Sequence, residues 1–200
     1  MAQELNQQTK GRRMLVFLLV LFVLPILAVL VMYQFDYRPG GSSHGELIAP
    51  PKALQVPAMQ SLQGKAFGAE QWKNKWSMIY VSASGCAAEC QKQVHLLRQI
   101  HVSLNKEIDR VQRLLLVPTA TDQAELAAIQ KKYPDLVVLT GSEAGALAQQ
   151  LDLPGQPALT SGRVYLVDPL GNLMMSYPSD FKPKGLREDM TRLLKYSWVG

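Results

Sequence analysis

The stretch Trp76-Ser77-Met78-Ile79-Tyr80-Val81, followed by Ser82-Ala83-Ser84-Gly85-Cys86-Ala87-Ala88-Glu89-Cys90, decides how this chain is read. Its first six residues are mostly apolar, β-branched or aromatic and read as a buried strand. The next nine form a short polar turn that feeds a helical pattern, and they hold the only two cysteines of the sequence. A strand that turns into a helix presents the first helical residues at the carboxyl edge of a sheet, where open α/β folds place their chemistry. A thiolate there faces unpaired backbone N–H groups and the positive end of the helix dipole, which favours the charged form. Cys86 is the better placed of the two by this argument. It is expected to attack or be attacked in disulfide exchange, with Cys90 resolving the mixed disulfide. Spacing i, i+4 on a helix brings the Cα atoms to roughly 6 Å, so the pair can open and close a disulfide or hold one soft metal ion. Two small buried side chains, or a permanent staple, are the inert alternatives.

Downstream and upstream of this stretch, strand and helix patterns alternate. Leu62 to Phe67 suggests a short strand or hairpin, and a helix from Cys86 or Ala87 to about Asn105 aligns Val94, Leu97, His101, Leu104 and Ile108 in one stripe. Val111–Val117 reads as the next strand, and Asp122-Gln123-Ala124-Glu125 as a capping box opening a helix to about Lys132. A short strand from Asp135 to Thr140 precedes a helix capped by Ser142 and running through Leu151. After a Pro154-Gly155-Gln156-Pro157 loop come two strands, Val164–Val167 and Leu173–Tyr177. Asp168-Pro169-Leu170-Gly171 between them suits a type I turn. A last helix runs from about Lys184 to Tyr196. This order resembles a thioredoxin-like α/β fold with one inserted strand and helix.

The chain has 200 residues, of which 48% are hydrophobic, enough for one domain with a full core and an appendage. The appendage is the uncharged run MLVFLLVLFVLPILAVLVMY from Met14 to Tyr33, long enough at 1.5 Å per residue to span about 30 Å of hydrocarbon. It reads as a single transmembrane helix, kinked at Pro25. A cleaved signal peptide would have a shorter apolar run and a small-x-small site, whereas Gln34-Phe35-Asp36-Tyr37-Arg38 follows here. Lys10, Arg12 and Arg13 precede the run against a single Glu4, which keeps the tail in the cytoplasm and sends the rest across. The expected organisation is a cytoplasmic tail at 1–13, a transmembrane helix at 14–33, a flexible linker at 34–57 and a thioredoxin-like domain at 58–200. The expected setting is a bacterial inner membrane, with the domain in the oxidising periplasm. With the basic flank set aside, the net charge of +5 leaves a nearly neutral domain without a basic cluster, which excludes nucleic-acid binding.

The remaining metal-ligating types give the cysteines no partner. His101 lies about 16 Å along the helix axis from Cys90, and His95 points elsewhere by about 140°. His44 reads as a solvated linker residue, His101 as a satisfied core histidine, and Met174 and Met175 as core packing.

With these residues in place, the sequence from about 60 to 200 is similar to the Sco/SenC group of membrane-anchored thioredoxin-fold proteins of cytochrome c oxidase assembly. The similarity rests on the Leu62 to Phe67 lead-in, the Trp72-Lys73-Asn74-Lys75 turn, Cys-x-x-x-Cys at 86 and 90, Leu139-Thr140-Gly141-Ser142, Ala148-Gln149-Gln150-Leu151, and Val164-Tyr165-Leu166-Val167-Asp168-Pro169 with Gly171. The resemblance implies that two cysteines and a distant histidine bind copper, and that such proteins act as copper chaperones or thiol reductases for the oxidase's dinuclear copper site. Here Thr160 stands where the family has its histidine. Ser84-Gly85 and Ala87-Ala88 replace the family's aromatic and prolines, and no proline falls near Ser161 or Gly162.

Two thiolates without an imidazole leave Cu(II) short of its usual ligand. The leading expectation is therefore thiol-disulfide exchange through Cys86 and Cys90, with thiols of a cytochrome c oxidase subunit or of a copper carrier as partner. A Cu(I)-binding metallochaperone using the same two cysteines, and a non-catalytic scaffold with a structural disulfide, are the alternatives.

Overall fold

The computed structural model describes residues 2–35, 43–120 and 122–197, with side chains from residue 11 onward. Residues 36–42 of the expected linker lie outside the described residues, as does the side chain of Lys10. The chain divides into two units, Met1–Ser42 and Ser43–Gly200.

The first unit is α1 (Ala2–Gln34), a single helix of 33 residues that continues through Pro25 and takes in most of the expected tail. Within it, Gly11–Gln34 is long and apolar enough to cross a membrane, with a mean hydropathy of 3.3.

The second unit contains β1 (Glu46–Ala53), β2 (Met59–Gln60), β3 (Ala66–Phe67), α2 (Ala69–Trp72), β4 (Trp76–Val81) and α3 (Ala88–Ser103). A 3-10 segment (Asn105–Arg110) leads into β5 (Val111–Val117), α4 (Gln123–Lys132), β6 (Leu136–Thr140), α5 (Ser142–Gln150) and α6 (Ala158–Ser161). The chain closes with β7 (Val164–Val167), β8 (Asn172–Tyr177) and α7 (Pro183–Tyr196). Six strands form one sheet in the order β1-β8-β7-β4-β5-β6. β4, β5 and β6 are parallel, while β7, β8 and β1 alternate antiparallel on the other side of β4. This is the expected thioredoxin-like α/β arrangement, with α4 and β6 extending the sheet beyond β5.

All six residues of β4 are buried, as a central strand covered on both faces requires. The strand period of two sends Met78 and Tyr80 into one core with Val94, Leu97 and Leu186, and Ile79 and Val81 into the other with Leu147, Ala148 and Tyr165. The α3 stripe buries Val94, Leu97 and His101 as expected. The helix stops at Ser103, since Asn105 adopts a positive φ of 52°, so Ile108 falls in the 3-10 segment instead of on the stripe. Ser142 is likewise the first residue of α5, whose N-cap is Gly141. The hairpin turn forms as read: Gly171 N–H donates to the Asp168 carbonyl at 3.0 Å, and Asp168 Oδ1 accepts from the backbones of Leu170 and Asn172.

The expected linker is corrected from residue 43 onward. Residues 46–53 form an edge strand on β8, pairing Glu46 with Ser176 and Ala53 with Asn172. The run ELIAPPKA lacks alternation and carries two prolines, so its strand character comes from partners more than a hundred residues away. Arg163, itself buried, reaches Glu46, Ser176 and Gln156 with its guanidinium. Asp189 on α7 is 3% exposed and accepts at one oxygen from His44 N–H (2.8 Å), Gly45 N–H (3.0 Å) and the Tyr177 hydroxyl (2.9 Å). Gly45 is obligatory, because a Cβ there would meet the Tyr177 ring at 2.5 Å. Asp189→Ala strands three donors around a buried site and is expected to cost about 3 kcal/mol, read as a lowered urea midpoint. Asp189→Asn, which keeps an acceptor, should lose less.

Candidate functional site: a buried disulfide at the strand-to-helix turn

The loop between β4 and α3 is held in line with the sheet. Ser82 N–H donates to the Leu116 carbonyl at 2.9 Å, and Ser84 bridges to Thr119 beyond the end of β5. Gly85 then turns the chain with φ of 62°, a conformation that costs an L side chain steric strain, and Ala87 is the extended N-cap of α3. Cys86 thus precedes the N-cap, and Cys90 is the third residue of the helix. The two are joined in a disulfide with a Cα separation of 5.0 Å, closer than two positions of a regular helix because Cys86 stands outside it.

The placement of Cys86 corrects the sequence reading. It was expected on the helix and open to a partner, yet it is wholly buried, and Cys90 keeps only 5% of its surface. Both sulfurs belong to the core that contains Tyr80, Val94 and Leu126. The carboxyl edge of the sheet does carry the pair, but Gly85 folds the loop inward and α3 covers it.

The side chain that sequence reasoning missed is Glu125. Its backbone N–H is capped by Asp122 Oδ1 at 2.9 Å, which is one half of the expected capping box. The other half is diverted: Glu125 Oε2 accepts from the Cys86 backbone N–H at 2.8 Å, and Oε1 lies 3.5 Å from Gln91 Nε2. The only sequence signal for Glu125 is the capping box, which assigns its carboxylate elsewhere. Glu89, beside Cys90, bonds to Gln93 at 3.3 Å and Lys92 at 3.5 Å. Burial raises the Tyr80 hydroxyl above its ordinary pKa, and the negative charge of Glu89 adds to the shift.

No histidine joins the pair. His44 is exposed, as expected, with its ring on Glu188 at 2.9 Å. His95 bonds to Tyr133 and Gln99. His101 Nε2 meets the carbonyls of Ile108 and Val111, both at 2.9 Å, which makes it the core histidine the sequence suggests. Thr160 sits in α6, whose Ala158 and Leu159 pack into the core on the other face of the sheet. Met175 is buried in the cysteines' core and donates nothing to them, its sulfur lying 3.8 Å from the Tyr177 hydroxyl. Among the described residues no three His, Cys, Asp or Glu side chains gather as a metal site. Two sulfurs without an imidazole leave Cu(II) short of its usual ligand, while a soft Cu(I) ion would need the two thiolates that the closed bridge withholds.

A charge cluster built around one buried arginine lies at the amino end of β5 and β6. Arg113 in β5 is wholly buried and pairs with Asp135 at 2.8 Å, while Asp135 also meets Arg98 at 3.1 Å. Partial burial pushes the Asp135 carboxyl up, but the hydrogen bond and charge of Arg113 outweigh it and hold the group below its usual range. Burial lowers the pKa of His101, with Arg113 adding to the shift and the two carbonyls and Asp135 opposing it. The unfolded chain therefore takes up the histidine proton first. The stability His101 confers is full above the unfolded value of about 6.5 and falls as the pH drops below it. Urea titrations of the wild type should show a falling midpoint from pH 7 to 5, and His101→Gln should flatten that slope.

The fold agrees with what known proteins share with this chain. A family model described as the transmembrane-like, thioredoxin-like, C-terminal domain matches residues 76–197. Copper-bound yeast Sco1 is 22% identical over 74% of this chain and 91% of its own, with a TM-score of 0.60. Copper-bound ScoI of Arabidopsis thaliana is 18% identical over 72% and 96%, with a TM-score of 0.56. BsSco, described as a member of the Sco family of cytochrome c oxidase assembly proteins with a disulfide switch, is 16% identical over 76% and 99%, also at 0.56. At these identities the likeness is one of fold. No curated protein matches the chain in sequence. With the family model covering β4 through α7, this protein belongs to the transmembrane-like, thioredoxin-like family and carries its C-terminal domain.

Proposed function

We propose that this protein is a single-pass factor of a bacterial inner membrane that assists assembly of cytochrome c oxidase by thiol-disulfide exchange through Cys86 and Cys90. The observation that carries this reading is the disulfide itself, closed at the turn where β4 enters α3. A disulfide fits an oxidising compartment, and the basic residues ahead of the apolar part of α1 favour a cytoplasmic N-terminus with the domain in the periplasm. The disulfide switch described for BsSco lends support from the same fold.

The partner is a dithiol on an oxidase subunit or on a copper carrier. One partner thiolate attacks a sulfur of the pair, the Cys86–Cys90 bond breaks, and the departing sulfur takes up a proton. The second partner thiol then displaces the protein from the mixed disulfide. The partner leaves oxidised by two electrons and the pair is left as two thiols; the reverse sequence reduces a partner disulfide. Because both sulfurs are buried, access requires the Ser82–Ala87 loop to open, and Gly85 is its hinge.

Burial also favours a second reading, in which the bridge is a permanent staple and the domain only docks on the complex. The midpoint potential separates the two. Exchange requires a value above about −300 mV, whereas a structural disulfide lies below it. Cys86→Ser and Cys90→Ser should each lower the yield of active oxidase in membranes while the protein itself still accumulates. Normal oxidase assembly with both variants would remove the redox role. Anaerobic Cu(I) titration of the reduced protein separates exchange from copper carriage: a stoichiometric tight site that vanished in the double variant would shift the reading to a copper carrier.

A further inference from the structure

The two cysteines of the bridge have different surroundings: they differ in burial, and a carboxylate, that of Glu125, bonds to the backbone of Cys86. Cys86 is wholly buried, and its N–H is taken by Glu125 Oε2 at 2.8 Å, three covalent bonds from its own sulfur. Glu125 is itself fixed from behind, since Asp122 holds its N–H at 2.9 Å and Gln91 approaches its other oxygen. Cys90 keeps the exposure that remains at the site, 5%, and sits in the first turn of α3, where free helix N–H groups point.

Resting on the exchange reading above, we propose that Glu125 is a positioning residue that sets the order of the sulfurs: Cys86 is the internal, resolving one and Cys90 the one that meets the partner. This reverses the order expected from the sequence. A carboxylate beside Cys86 and the loss of solvent around it both disfavour a thiolate there. The helix N-terminus favours one at Cys90, against the opposing charge of Glu89 in the same turn, which is partly met by Lys92. In the forward step a partner thiolate attacks Cys90 Sγ. The electron pair of the broken S–S bond leaves on Cys86 Sγ, which takes a proton from solvent. In the reverse step the Cys90 thiolate attacks a partner disulfide, and Cys86 then displaces the partner from the mixed disulfide as its proton is lost to solvent.

The test uses the full chain in detergent micelles, reduced with a phosphine and treated at pH 7 with less than one equivalent of iodoacetamide, the modified cysteine being read by peptide mass. Cys90 should be alkylated about tenfold faster than Cys86, and Glu125→Gln should raise the Cys86 rate relative to Cys90 by about tenfold and move its pH profile down. Glu125→Gln keeps an acceptor for the Cys86 N–H, so a purely structural role would change only Glu125→Ala. Equal rates, faster modification of Cys86, or an unchanged ratio in Glu125→Gln would overturn the assignment. These outcomes are independent of whether the bridge ever opens in the membrane, which the oxidase yield of the cysteine variants reports.

Discussion

Everything in the domain follows from the burial of β4 on both faces. A strand whose six residues all sit in the interior has to be covered by helices above and below and flanked by strands at both edges. The parallel neighbour β5 needs a crossover, which is α3, and the crossover begins with the loop that holds Cys86. The disulfide is thus placed by the sheet: wherever β4 ends, the cysteine loop has to start. Ser82 and Ser84, bonded to the end of β5, keep that loop aligned before Gly85 turns it inward.

The same burial explains why the sulfurs are covered. A turn that merely capped the sheet edge would leave Cys86 in solvent. Instead Gly85 reverses the chain toward the core, where Tyr80 and Leu126 surround the pair. Both sulfurs are thereby covered, and Glu125, Gln91 and Glu89 are polar side chains that remain beside the loop.

A different device fixes the start of the domain. Asp189 and Arg163, both buried, gather donors and acceptors from His44, Gly45, Glu46 and Ser176, and so fasten β1 to β8 and α7. Each charge would be costly alone in the interior; gathered with its partners it specifies one register for an edge strand that has almost no hydrophobic face of its own.

The sequence by itself determined the apolar helix, the strand-turn-helix with its two cysteines, the order of elements from β4 to α7 apart from the short α6, and the hairpin turn, because periodicity, turn chemistry and capping are local properties of neighbouring residues. Val111–Val117 came out to the residue, and Asp122 caps α4 as read. Only the tertiary structure decided that residues 46–53 are a strand, that Cys86 lies outside the helix and out of solvent, and that Glu125 turns from its own helix cap to the cysteine loop. Those outcomes depend on groups separated by 39 to 145 positions in the chain, such as Glu125 with Cys86 and Asp189 with His44. Spacing carries no record of such distant pairs, because which of them meet is settled by how the layers pack around β4.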